Sequence, residues 1–362
     1  MDYLRYYLCS AVVLLGIVGI AIGGLWSWLG FSTFFTVLFI DSFAGIDDRP
    51  RTVNHPVAAD LVLYLHTVLM VVLYGFFFWR ASQGYGLQGV GEILGWTGAV
   101  ATIVLLNLVP NAGIAHELMH KKTWLPRRCG NILFSIIGSP NRDVGHVASH
   151  HIHFDTLDDP DTGRRGESVY AFVWRCLQGA TRDVVLHEQQ RFGKVGAFVD
   201  PRSRILLGSA FVVAMLVGMY LIAGLTGTLV LAGIMVISRF LGEALNYVQH
   251  YGLLRVPDSP NQNHHTWNHL SWIIRILGVE ITNHIDHHND PDAPYYKLVP
   301  HTEAPQMHNI LSWGITAFFP SLWAQRIQPH LERWDKEYAT PAEQQLARQA
   351  NLRAGWPDWL AE

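Results

Sequence analysis

Residues 205–249 read ILLGSAFVVAMLVGMYLIAGLTGTLVLAGIMVISRFLGEALNYVQ, a run with only two charged side chains, Arg239 and Glu243. A helix crosses a hydrocarbon core of roughly 30 Å with about 20 apolar residues, so this run is too long for one span and suits two. Gly224, Thr226, Gly227 and Thr228 interrupt it near its middle, where a hairpin of two membrane helices is expected to turn. Ordinary soluble domains carry no such stretch. The fold expected is an all-α integral membrane protein.

Three more apolar runs lie upstream, at about 8–30, 60–79 and 92–113. The first ends in Leu25, Trp26 and Trp28 rather than a small-residue cleavage site, so it is expected to be a retained anchor. Phe31 to Phe43 is shorter and is followed by Asp47 and Asp48, which leaves it as a further helix or an interfacial segment. Counting it gives about six spans. Thirteen Lys and Arg fall in 114–204, and none falls in 81–91 or in the turn at 224–228. Basic segments stay in the cytoplasm, so six spans with both ends inside account for every loop. The expected organisation is a single domain over 1–362, with a transmembrane bundle at 8–113 and 205–249 and cytoplasmic segments at 114–204 and 250–362. Its expected location is a bacterial-type inner membrane.

The chemistry is carried by histidine. Of nineteen, nine fall into four groups: His116 and His120; His146, His150 and His151; His250; and His284, His287 and His288. In His116-Glu117-Leu118-Met119-His120 the imidazoles stand four apart, one turn of a helix. That is the HExxH string of zinc proteases, but a catalytic zinc takes three protein ligands and this chain offers nine. His146 and His150 repeat the four-residue spacing, with His151 about 100° further round. Adjacent histidines point to different places, which suits two metal ions reached from one helix. Imidazole does not by itself name the metal. Metal-bound histidines usually donate their second nitrogen to a carboxylate, so Asp286, Glu280 and Glu117 are candidates for that supporting role, with Asp155, Asp158 and Asp159 also close in sequence.

Other histidines are weaker candidates. His153, His264, His265 and His269 lie near the groups, while His55, His66, His187, His301, His308 and His330 are read as ordinary. Cys9, Cys129 and Cys176 form no Cys-x-x-Cys pair, so neither a disulfide framework nor an iron–sulfur cluster is expected. Thr340-Pro341-Ala342-Glu343 has the form of a capping box opening a helix that Gly355 and Pro357 end.

The strings His-Glu-Leu-x-His-Lys at 116–121, His-x-x-x-His-His at 146–151, Asn-Tyr-Val-x-His-Tyr-Gly at 246–252 and His-x-Asp-His-His at 284–288 resemble the four signature motifs of the membrane di-iron hydroxylases typified by alkane monooxygenase. Further segments, Asp2 to Tyr7, Pro140 to Asp143, Gly278 to His288 and Glu303 to Met307, resemble the branch of that family acting on aromatic methyl groups. The resemblance implies a non-haem centre of two iron ions on a six-helix bundle, with a histidine-rich cytoplasmic cap. It implies oxygen insertion into the methyl group of toluene or xylenes to give benzyl alcohols. The other readings are terminal alkane hydroxylation and, further off, fatty-acid desaturation, whose second motif is usually His-x-x-His-His.

Monooxygenation needs O2 and two electrons, yet the chain has no dinucleotide-binding glycine motif. A separate reductase must therefore dock, and the resemblance points to an NADH-dependent ferredoxin type. Lys121, Lys122, Arg127 and Arg128 are candidates for its docking face. The remaining expected partners are a small apolar aromatic substrate and the lipid bilayer; no nucleic acid is expected.

Overall fold

In the computed structural model, which describes residues 2–84 and 89–361, the chain is helical throughout its membrane part. The elements used below are α1 (Tyr7–Ile22), α2 (Leu29–Phe43), α3 (Pro56–Ser82), α4 (Val90–Leu108), α5 (Asn111–His120) and α6 (Trp124–Ile136). Among the described residues five helical segments are long and apolar enough to cross a membrane: Asp2–Ile22, Gly24–Phe43, Pro56–Ser82, Val90–His120 and Val169–His250. The last contains the 205–249 run and breaks at Gly224, whose φ of 63° and ψ of −162° lie outside the helical region. An L side chain pays a steric penalty there and glycine does not. Gly208 on the first arm packs against Pro140 and Asn141, and Arg239 on the second donates to the Gly138 carbonyl. Both arms thus reach one turn and form the expected hairpin, giving about six spans in a multi-pass membrane protein.

The first boundary moves. The run expected as one span over 8–30 ends at Ile22, and Gly23 and Gly24 open a second apolar segment that continues to Phe43. The short segment at Phe31 to Phe43 is therefore the larger part of a 20-residue helical segment, close in length to the 21 residues of Asp2–Ile22. Hydropathy alone could not place that break, because the chain stays apolar on both sides of it. The expected loop at 81–91 includes residues 85–88, which lie outside the described residues.

Small residues let these helices approach. A Cβ at Gly30 would sit 2.4 Å from Thr102 Cγ2 and 3.0 Å from the Gly16 backbone, so α1, α2 and α4 meet at one close crossing, as membrane helices do when small side chains line the contact. Inside the bundle, Asn107 Nδ2 donates to Tyr74 Oη and Ser238 Oγ, both at 2.9 Å. These bonds tie α3, α4 and the second hairpin arm together where no water replaces a lost partner.

At one end of the bundle α4 gives way to α5, and the second arm ends at His250. The chain beyond each is folded over that end. The Thr340 capping box is present, with its helix at Pro341–Ala354. Arg165 anchors this part by donating to both carboxylate oxygens of Asp335, at 2.6 and 2.7 Å, and to the Gly252 carbonyl.

Candidate metal centre

The nine histidines meet in two groups. His116, His120, His146, His151 and His287 bring ligand nitrogens within 4.8 Å of one another, and His150, His250, His284 and His288 do the same. His116 and His120 come from α5, His250 from the end of the second arm, and His284, His287 and His288 from a short helix, His284–Asn289. The helix after Asn283 starts where Asn268 Oδ1 accepts the backbone N–H groups of His284 and Ile285. That side chain fixes the entry of the third histidine group.

The 146–151 group is not on an α-helix. Residues His146–His150 form a π turn, in which hydrogen bonds close over five residues rather than four. His146 therefore shares a centre with His151, not with His150 as the four-residue spacing suggested. Their Nε2 atoms are 3.1 Å apart, and His146 Nε2 is 2.9 Å from His116 Nε2. His150 turns to the other group, its ring centroid 4.8 Å from that of His250.

The tautomers test whether these residues fit metal ions. His284 Nδ1 faces the Ile281 carbonyl at 3.0 Å and His250 Nδ1 faces Asp155 at 3.2 Å. Neither partner can donate, so both Nδ1 atoms carry the proton and both Nε2 atoms are bare lone pairs. Those Nε2 atoms are 2.9 Å apart. Two lone pairs facing each other at that distance suit a cation that attracts both. His150 repeats the pattern, with Nδ1 on Asp159 at 2.9 Å and Nε2 buried without a partner. Burial, aided by neighbouring histidines, holds the imidazoles of His146, His150, His151, His284, His287 and His288 well below the ordinary histidine range. They are neutral, the form that binds a metal.

The supporting carboxylates differ from those expected. Among the described residues Glu280 bonds to none of the clustered histidines: it accepts from Tyr6 at 2.5 Å, Arg51 at 2.7 Å and Arg275 at 2.5 Å, and so fastens the cap to the residue just before α1. Asp286 pairs with His301 at 2.7 Å and caps the Val299 N–H. Glu117 pairs with Lys121 at 2.7 Å. Asp159 and Asp155 instead face the clustered histidines, at His150 and His250; burial raises both carboxyls, opposed at Asp155 by His250 and at Asp159 first by the Thr162 hydroxyl and the Asp161 N–H. The available signal was their place in the loop right after the second histidine group, four and eight residues past His151. Phe154 was also missed; its ring lies 4.1 Å from that of His288 and shields the four-histidine group.

The weaker candidates stay outside. His264 and His265 bond to Glu343 at 3.1 and 2.7 Å, and His265 Nδ1 accepts the Gln262 N–H. That network is satisfied by hydrogen bonds alone. His269 gives its Nδ1 proton to the Met307 carbonyl. Of the proposed docking cations, Lys121 is held by Glu117 and Asp60, and Lys122 by Asp292.

A partly open cavity of ≈ 130 Å³ ends on His116, His146 and His284. Leu108, Val109, Phe134, Ile137, Leu245, Ile274, Leu277, Ile310 and Leu311 supply much of its apolar wall. Arg142, also in the wall, is neutralised by Asp161 at 2.8 Å and Glu243 at 3.5 Å. An apolar chamber that closes on imidazoles from both groups can hold a hydrocarbon against a metal pair and keep bulk water away.

A family model described as fatty acid desaturase matches residues 91–312. The xylene/toluene monooxygenase hydroxylase component XylM of Pseudomonas putida is 39% identical, over 99% of this chain and 97% of its own length. Alkane 1-monooxygenase 1 of Pseudomonas aeruginosa is 29% identical over 75% of this chain and 74% of its own length. Alkane 1-monooxygenase 2 of Alcanivorax borkumensis is 26% identical over 85% and 84%.

Proposed function

The chain belongs to the fatty acid desaturase family, and from that premise we propose that it is a membrane-bound, non-haem di-iron monooxygenase hydroxylating the methyl group of toluene- and xylene-type aromatics. One iron is held by His116, His120, His146, His151 and His287, the other by His150, His250, His284 and His288. With O2 and two electrons, the iron pair supplies the oxidising power for a C–H bond. The protein's own residues do the rest. Asp155 and Asp159 fix the tautomers of His250 and His150, and the cavity wall holds the ring and excludes water. Electrons come from a separate NADH-dependent reductase of ferredoxin type, docking on the cytoplasmic face of an inner-membrane protein that acts as one domain.

The observation that carries the reading is the small apolar cavity closing on His116, His146 and His284. A dry cavity of about 150 Å³ takes a benzene ring, and this one is of that size, so a methylbenzene suits it better than a long alkyl chain. A benzylic C–H bond is also weaker than a terminal alkane one, because the benzyl radical is delocalised. The test is competition between m-xylene and octane, at equal concentrations in membranes supplied with reductase and NADH. A methylbenzyl alcohol is expected to dominate; dominant 1-octanol would make this an alkane hydroxylase.

A further inference from the structure

Away from the metal centre, two adjoining hollows lie where the chain enters its hairpin. The first is a cleft of ≈ 490 Å³ lined by Lys122, Trp124, Arg127, Arg128, His187, Arg191, Arg202 and Arg204. The second, of ≈ 90 Å³, shares Arg128 and Arg204 and continues between α6 and the first hairpin arm along Ile132, Leu207 and Phe211. Arg204 is the first residue of the helix whose apolar run starts at Ile205. At the cleft, Trp124 is 69% exposed, and its neighbour Leu125 55%. Bulky apolar side chains beside clustered cations mark the boundary between headgroups and hydrocarbon.

The charge count decides what fits. Lys122 is paired with Asp292, Arg191 with Glu188, Arg202 with Asp200 and Arg204 with Asp143. Arg127 and Arg128 have no carboxylate partner among the described residues, and Arg128 lies over the Trp124 ring at 5.8 Å. Two unneutralised guanidiniums beside a narrow apolar groove suit one compact anion carrying a hydrocarbon tail. A broad acidic protein surface would meet Asp292 and Asp200 as repelling neighbours.

We propose that the cleft binds the phosphate of an anionic phospholipid, with the first part of one acyl chain in the groove beside Ile132, Leu207 and Phe211. Cytoplasmic leaflets present such lipids, and basic pockets between membrane helices on that side hold their headgroups. The lipid would brace α6 against the hairpin.

The experiment is native mass spectrometry of the full chain in detergent, titrated with phosphatidylglycerol or phosphatidylcholine. Wild type is expected to keep phosphatidylglycerol preferentially, and Arg127→Gln with Arg128→Gln to bind it about 30-fold more weakly, since each interfacial cation contributes about 1 kcal/mol. Arg353→Gln, on the C-terminal helix, is expected to bind as wild type. Ile132→Trp leaves the cations in place and fills the groove, so it is expected to weaken long-chain but not short-chain phosphatidylglycerol. Equal retention of the two headgroups, or displacement of the lipid by inorganic phosphate, would overturn the proposal. So would a double variant that keeps the lipid but raises the KM for reductase, since the cleft would then be a protein docking face.

Discussion

His146 and His151 bring their Nε2 atoms to 3.1 Å although they stand five positions apart along the chain. On an α-helix that spacing would leave the two side chains about 140° apart. The π turn at His146–His150 absorbs one residue, so His-x-x-x-His-His presents its first and last imidazoles to one centre as His-x-x-His-His would on an α-helix. Deleting Val147, which is exposed, is therefore expected to close the turn to α and keep both metals. Inserting an alanine at the same place turns His150 and His151 by about 100° and is expected to strip metal from both groups. Iron content of the purified variants checks this, and equal loss in the two would contradict it.

Asp159 and Asp155 hold the Nδ1 atoms of His150 and His250. Removing a carboxylate that orients a metal-bound histidine costs about 10–100-fold in metal affinity or activity, so Asp159→Asn and Asp155→Asn are expected to lose metal to a chelator that spares wild type. Asp286→Asn, whose partner is His301, is expected to retain it. The same chelator titration on all three variants separates the two carboxylate sets.

Arg239, Gly242, Asn246 and Gln249 all line the cavity and, spaced three and four apart, share one face of the second hairpin arm. A Cβ at Gly242 would meet nothing within 4 Å. Gly242→Leu is expected to project into the chamber and exclude the larger ring. Pocket methylenes discriminate by about 1–3 kcal/mol each, so the kcat/KM ratio of toluene to m-xylene should rise about tenfold. An unchanged ratio would place the substrate elsewhere.

Glu343 joins the capping box of the last helix to His264 and His265. Burial would raise its carboxyl, but the two histidine bonds and the Thr340 N–H outweigh that and hold it well below the usual range. A carboxyl lowered by folding stabilises above its unfolded pKa of about 4.3 and loses that contribution as pH falls. Thermal melts are expected to show wild type losing stability below about pH 4.3, with Glu343→Gln less stable at neutral pH and flatter on the acid side. Parallel curves would mean the carboxylate carries no charge-dependent stability.

Apolar runs and residue type were enough to read about six spans, the Gly224 turn and the nine clustered histidines, though not the break at Gly23 and Gly24. Apolar length and residue type are local properties, and local properties are readable one segment at a time. The sequence by itself did not determine the partition of those histidines. That depends on a π turn, and on α5, the second hairpin arm and the His284–Asn289 helix, which bring the remaining imidazoles of the two groups to it. Nor could it separate Asp155 and Asp159 from Glu280 and Asp286, since all four lie close in sequence to a histidine group. Glu280 was taken by Tyr6, Arg51 and Arg275, two of them more than 200 residues away. A buried carboxylate goes to the cations and donors that folding brings to it, and that choice exists only in the tertiary structure.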